Sequence, residues 1–199
     1  MVSTTTRAKL DRVPLAVAEA VHEVGPYRLT VVMILERTGL SRTAFYGRFE
    51  NAEDAFAFSW KRAREDLLLA VGRPSGREAW REHVATVIDA LLRRAAAEPY
   101  LASLYLLHSH AVGPDRGSFD EALVQALADV LRPGRGFGAD PPPLTEELVA
   151  FAVLTLIADR LREGASHGLE DLGGELATLA TLPYLPPPAT AGAQTGMSP

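Results

Sequence analysis

The chain has 199 residues, 47% of them apolar and 23% charged, with a net charge of −5 and no cysteine. It is too apolar and too near charge balance to be disordered as a whole. The missing thiols exclude disulfides, thiolate metal sites and a cysteine nucleophile. Charge is unevenly placed: residues 1–49 hold seven basic and four acidic side chains, net +3, which leaves −8 for the remainder. A small basic head on an acidic body points to a polyanion partner for the head. Val2 to Lys9 is polar and no apolar signal segment follows. The longest apolar run, Leu148–Ala158, is far short of the roughly 20 residues a membrane helix needs. The expectation is a soluble, cytoplasmic protein with no membrane partner.

Arg7, Lys9 and Arg12 open the chain as a basic arm, read first as a solvated tail and alternatively as a reach into a minor groove. A first helix follows, with Val13, Val17, Ala20, Val21 and Val24 on one stripe. Pro14 is tolerated in its first turn, and Gly25-Pro26 stops it. Thr30 is a good N-cap for a short second helix carrying Val31, Ile34 and Leu35. Gly39-Leu40-Ser41 is a tight turn into a third short helix, on which Phe45 and Phe49 share a face. Asn51 caps a fourth helix, with Glu53 and Asp54 in its first turn, that runs to about Val71 before a break at residues 72–76.

The body begins with a long amphipathic helix marked by Trp80, Val84, Val87, Leu91 and Ala95, ending before Pro99. Leu101, Leu104, Tyr105 and His108 mark a shorter one ending near Gly113-Pro114. Phe119, Leu123, Leu127 and Val130 or Leu131 mark the next. Pro133 to Pro143 reads as a Gly- and Pro-rich loop. Thr145 opens a helix apolar nearly all round from Leu148 to Ala158, so buried on more than one side. A last helix spans roughly Leu169 to Leu182, weakened by Gly173-Gly174. The class is all-α with about nine helices. The expected organisation is a head over residues 1–50, a body over 51–185, and a disordered tail over 186–199.

Two short helices joined by a three-residue turn containing Gly39 are what a helix-turn-helix requires. Leu40, Ile34 and Phe45 form the wedge between them, and the first helix closes the mini-core. The second helix of such a pair lies in a DNA major groove with its early residues on base edges, here Ser41, Arg42, Thr43 and Ala44. With the apolar face supplied by Phe45 and Phe49, Arg42, Tyr46 and Arg48 point outward. Arginine serves both phosphate and guanine, and a tyrosine hydroxyl can anchor a phosphate. The bland alternative is an ordinary helical hairpin within a bundle.

On these residues the segment resembles the DNA-binding domain of the tetracycline-repressor (TetR) family of transcriptional regulators. Gly25, Thr30, Val31, Ile34, Gly39-Leu40-Ser41-Arg42, Phe45-Tyr46, Phe49 and Glu53 carry the resemblance, which covers about residues 12–56; beyond them only length and layout match. The resemblance implies a homodimeric repressor on double-stranded DNA with a palindromic operator. It places Thr30 and Tyr46 on phosphates, Ser41, Arg42 and Thr43 on bases or flanking phosphates, and Arg48 near the backbone. It also implies a dimer interface formed by the last two long helices of each subunit. Between helices four and eight it implies a pocket for a small apolar effector, with Trp60, Arg64, Tyr105, His108 and Phe151 as candidate wall residues. The chain departs from the family pattern at Ala44, Glu50 and Ala52, and each departure removes a phosphate contact. Those departures support the rival reading, a helical ligand-binding or protein-interaction dimer that has lost specific DNA binding.

A small helical enzyme is the third reading and finds little support. The rings of His108-x-His110 point to different sides of a helix, unlike the i, i+4 pair of a helical zinc site. Gly134-Arg135-Gly136-Phe137-Gly138 follows no strand, and no GxSxG elbow exists. No catalytic residue, metal or cofactor is expected.

Overall fold

The computed structural model describes residues 4–72, 80–111, 121–164 and 168–186. Ten α-helices and no strand occur among the described residues. They are α1 (Thr4–Asp11), α2 (Val13–Val24), α3 (Val31–Thr38), α4 (Arg42–Tyr46), α5 (Ala52–Val71), α6 (Trp80–Ala97), α7 (Pro99–His108), α8 (Glu121–Leu131), α9 (Thr145–Arg162) and α10 (Gly173–Thr181). Nine of these are the helices that periodicity predicts. The tenth, α1, corrects the reading of the N-terminal arm as a solvated tail: Arg7 and Lys9 lie on a helix that runs directly into α2. The last helix also begins later than expected, because Glu170–Leu172 forms a 3-10 turn ahead of Gly173. Phe119, Gly113-Pro114, the break at 73–76, the His110 side chain and the tail beyond Pro186 lie outside the described residues.

The head is built from small local decisions. Gly25, with φ 79°, ends α2 and its N–H bonds to the Val21 carbonyl at 2.8 Å. Thr30 caps α3 by accepting from the Met33 N–H, and Ser41 caps α4 by accepting from the Ala44 N–H. Between these helices Gly39 sits in the left-handed region, φ 68°, which only glycine adopts cheaply. Buried Thr38 stitches this turn, its hydroxyl donating to the Ile34 carbonyl and accepting from the Leu40 N–H. Val13, Val17, Val21, Ile34, Leu40, Phe45 and Phe49 are all buried, and they form one cluster with the body's apolar side chains.

α5 joins head to body. Asn51 accepts from the Asp54 N–H at 2.8 Å, and the Asp54 carboxylate accepts from the Glu50 N–H at 3.1 Å. This reciprocal cap fixes where the helix starts. α5 then packs against α2, α6, α7 and α8 in turn, while α9 lies on α8 and α7 and α10 lies on α6. A second head–body contact is made by α2 and α7, where the His22 and Tyr100 rings meet at 5.0 Å.

The segment read as a plain Gly/Pro loop is a clamp at the entry to α9. The Arg135 guanidinium grips the buried Glu146 carboxylate through two bonds of 2.6 and 2.8 Å and also donates to the Pro141 and Pro142 carbonyls. Burial pushes the Glu146 carboxyl pKa up, but the bonds from Arg135 and from its own backbone N–H outweigh that, and the net shift is downward. Trp80, fully buried, donates its indole N–H to the Val130 carbonyl at 3.0 Å and lies against Gly134. Trp80 is therefore core.

Replacing Phe45 by Ala removes the anchor of α4 from a fully buried site. The expected cost is about 3–5 kcal/mol in unfolding free energy, measured by urea denaturation. A cost under about 1 kcal/mol would mean that α4 is not held by this ring.

Candidate nucleic-acid interface

Helix α4 is divided by its packing. Phe45 is 0% exposed and Phe49, one turn on, is 2% exposed; their rings meet at 5.2 Å, and Phe49 continues to Phe58 of α5 at 5.4 Å. With that face committed inward, Ser41, Arg42, Thr43, Tyr46 and Arg48 are all exposed. Tyr46 is 51% exposed and stands edge-on to Phe45 at 5.4 Å, so its hydroxyl is carried outward on a supported ring. Thr30, also exposed, lies at the start of α3.

The two cap residues keep chemistry to spare. The Thr30 and Ser41 hydroxyl oxygens accept backbone N–H bonds at 3.4 and 3.1 Å. Each hydroxyl proton remains able to donate to an anion. The structure thus places five of the six candidates on or beside one short helix and the sixth, Thr30, at the head of its partner.

Arg48 differs from the others. Its guanidinium lies over the Phe58 ring at 4.9 Å and the Phe49 ring at 5.3 Å, a cation–π arrangement. It lines a cleft of about 490 Å³ between α1 and α5 with Arg7, Asp11, Phe49, Phe58 and Arg62. Sequence reasoning passed over Tyr27 and Arg28, which precede Thr30 and are exposed, Tyr27 by 75%. The signal was available: an aromatic next to an arginine just ahead of a cap. Lys9 was read only as part of a basic arm; its Nζ donates to the Gly39 carbonyl at 2.7 Å. A contact spanning thirty residues leaves no trace in local pattern.

The five pocket candidates separate. Trp60 and Arg64 stand one turn apart on α5, and Tyr105 and His108 lie on α7, which packs against it. Trp60 and Tyr105 meet with ring centroids 5.2 Å apart, and the Trp60 indole N–H is buried with no acceptor. Arg64 and His108 are half-buried. Phe151 does not join them. The inner face of α9 is filled by Ala150, Val153, Leu154, Ile157 and Leu161, and the helical phase turns Phe151 outward, 42% exposed; Leu148 and Leu156 are exposed as well. No group of three or more potential metal ligands occurs among the described residues, and none of the described helices is long and apolar enough to cross a membrane.

No protein-family model and no curated protein matches the chain by sequence. Solved structures do match. The chain is similar to a bacterial regulatory protein of the tetR family from Rhodococcus RHA1, with TM-score 0.72 and 15% identity over 94% of this chain and 100% of that one. It is also similar to the fatty acid degradation regulator FadR from Bacillus halodurans, with TM-score 0.67 and 17% identity over 87% and 94%. A third match is the transcriptional regulator FadR from Bacillus subtilis, solved in complex with stearoyl-CoA, with TM-score 0.65 and 18% identity over 86% and 97%. The chain has the fold of these regulators, the tetR-family protein among them, over 86% to 94% of its length.

Proposed function

We propose that the protein is a homodimeric, cytoplasmic DNA-binding regulator, a repressor released from a palindromic operator by a small effector. The observation that carries this reading is the outward face of α4. Arg42, Thr43 and Tyr46 are exposed on a helix whose other face is pinned by Phe45 and Phe49, at the second position of a helix-turn-helix. In this reading Arg42 and Thr43 face base edges, while Thr30, Ser41 and Tyr46 hold phosphates. Arg48 backs them from the cleft. Residues 1–50 form the reading head and 51–185 the responding body. The protein is a binder rather than an enzyme and needs no cofactor.

Dimerisation is supported by the outer face of α9 and the neighbouring α10. Leu148 is 67% exposed, Phe151 42% and Leu156 44% on α9, with Leu179 51% and Leu182 57% on and just after α10. Large apolar side chains exposed in this number on two neighbouring helices support an interaction surface. Two heads about one helical turn (~34 Å) apart read two half-sites, which one head cannot. Phe151 is assigned to this face and no longer to the effector wall. Trp60 and Tyr105, with Arg64 and His108 nearby, remain the proposed effector contacts, and the acceptorless Trp60 N–H is the polar group a ligand would satisfy. That a regulator of this fold was solved with stearoyl-CoA supports an effector with a large apolar part.

Binding to the DNA upstream of the protein's own gene tests the reading. A site-specific complex whose affinity falls with salt, by a log–log slope of about −0.9 for each phosphate neutralised, is expected. Arg42→Ala should cost about 1–3 kcal/mol and relax preference at one base position. Tyr46→Phe should weaken all operator variants about equally, as loss of a phosphate contact does. Weak binding, equal on every sequence, favours instead the ligand-binding dimer without DNA specificity, the reading to which Ala44, Glu50 and Ala52 incline.

The assembly has its own check. Phe151→Glu with Leu156→Glu should shift the wild-type dimer to monomer in sedimentation velocity and weaken operator binding with it. A double variant that still sediments as a dimer moves the interface elsewhere.

A further inference from the structure

Lys9 is not among the residues proposed to touch DNA or effector, and its bond to the Gly39 carbonyl has no role there. Helix α1 buries none of its residues, and only Leu10 packs against the core. Yet Lys9 reaches from it to the carbonyl of Gly39, the left-handed residue that ends α3 and from which the chain enters α4. A Cβ placed on Gly39 would meet Lys9 Nζ at 3.6 Å and Cε at 3.8 Å, so the side chain lies directly over the turn. The carbonyls at a helix C-terminus carry the negative end of its dipole, and an ammonium is a fitting partner for them. Inside the turn, the Thr38 hydroxyl already holds the Leu40 N–H. Lys9 supplies the matching hold from outside.

The rest of α1 faces the segment that follows α4. Arg7, Leu10 and Asp11 line the cleft shared with Arg48 and Phe49, just beyond the last turn of α4. A helix with almost no core of its own therefore holds the turn that precedes α4 and lines the cleft that follows it. We propose that α1 is a brace and that Lys9 is a positioning residue: by holding the Gly39 carbonyl it fixes the angle at which α4 is presented. Lys9 does not itself bind DNA. The inference rests on the DNA-reading role of α4 and concerns how that role is held in place.

The test uses the full chain with Lys9→Met and Lys9→Arg. Because α1 buries nothing, both variants should fold, and their helical circular dichroism should match the wild type. Two readouts are needed: amide hydrogen exchange at Gly39 and Leu40 in the free protein, and operator affinity across a range of salt. Lys9→Met should speed exchange at these two amides, and should weaken operator binding by roughly 2- to 30-fold with the salt slope unchanged. Lys9→Arg should restore both. A slope reduced by about 0.9 in Lys9→Met would make the residue a phosphate contact and overturn the proposal. Unchanged exchange, or faster exchange with unchanged affinity, would overturn it too. If the wild-type protein binds no specific DNA, the reading of the head fails on its own, while the exchange experiment still decides whether Lys9 holds the turn.

Discussion

The helix proposed to read DNA is only five residues long, Arg42–Tyr46, and everything proposed for the head depends on what holds it. Helices shorter than about 12–15 residues are marginal in water, so α4 exists because tertiary packing requires it. Its anchors are Phe45 and Phe49, buried in the cluster that includes Val17, Ile34 and Leu40. With Phe45 and Phe49 inward, helical phase turns Thr43 to the opposite side and Tyr46 to the flank, while Arg42, in phase with Phe45, is exposed because it stands in the helix's first turn. The chemistry of the surface is thus a consequence of the packing beneath it. The same packing limits how far α4 can move without exposing two phenyl rings.

That limit bears on signalling. The buried cluster runs unbroken from Val13 in α2 to Tyr184 beyond α10, so head and body share one core. In the proposed regulator an effector acts only by binding more tightly to one spacing of the two heads than to another. Two connections can carry that difference. α5, twenty residues and about 30 Å long, begins beside the reading helix and passes Trp60 on its way into the body. The α2–α7 contact, with His22 against Tyr100, ties the first head helix to the helix that carries Tyr105. A ligand that parts Trp60 from Tyr105 would push on both at once, and since α4 is locked to α2 and α5, the head would turn as a unit.

How much of this was legible in the sequence follows from the range of the interactions involved. Helical period, caps and glycine stops are local, and they located nine helices, the left-handed turn at Gly39 and the inward pair Phe45 and Phe49. α1 was not legible: Thr4-Thr5-Thr6 is a poor helix start, and Leu10 and Lys9 find their partners only in the folded head. The outward turn of Phe151 was not legible for a different reason. A helix apolar on every side does not say which apolar side faces in, and only the neighbouring α7 and α8 decide it. The Arg135–Glu146 clamp was hidden because its two ends are eleven residues apart, one in a stretch read as a plain loop and the other in the first turn of the next helix. Arg48 was read as an outward cation. It is exposed, but its guanidinium rests on Phe58, a ring of the next helix.

The departures at Ala44, Glu50 and Ala52 can be placed in the same terms. At the start of α5 the Glu50 N–H is bonded to the Asp54 carboxylate and the Asp54 N–H to Asn51, with Glu53 exposed alongside. That helix end is satisfied by its own side chains and carries an acidic fringe, so it offers a phosphate little and repels it. The load in the proposed complex falls on α3 and α4, on Thr30, Ser41, Arg42 and Tyr46. So few contacts from one head make a weak grip, and affinity then has to come from presenting two heads together. The exposed leucines and Phe151 of α9 and α10 are where the chain can supply that second head. A protein with fewer phosphate contacts per head is therefore one in which operator binding is most sensitive to the dimer surface, and in which a brace that keeps α4 at a fixed angle matters more than it would in a richly cationic relative.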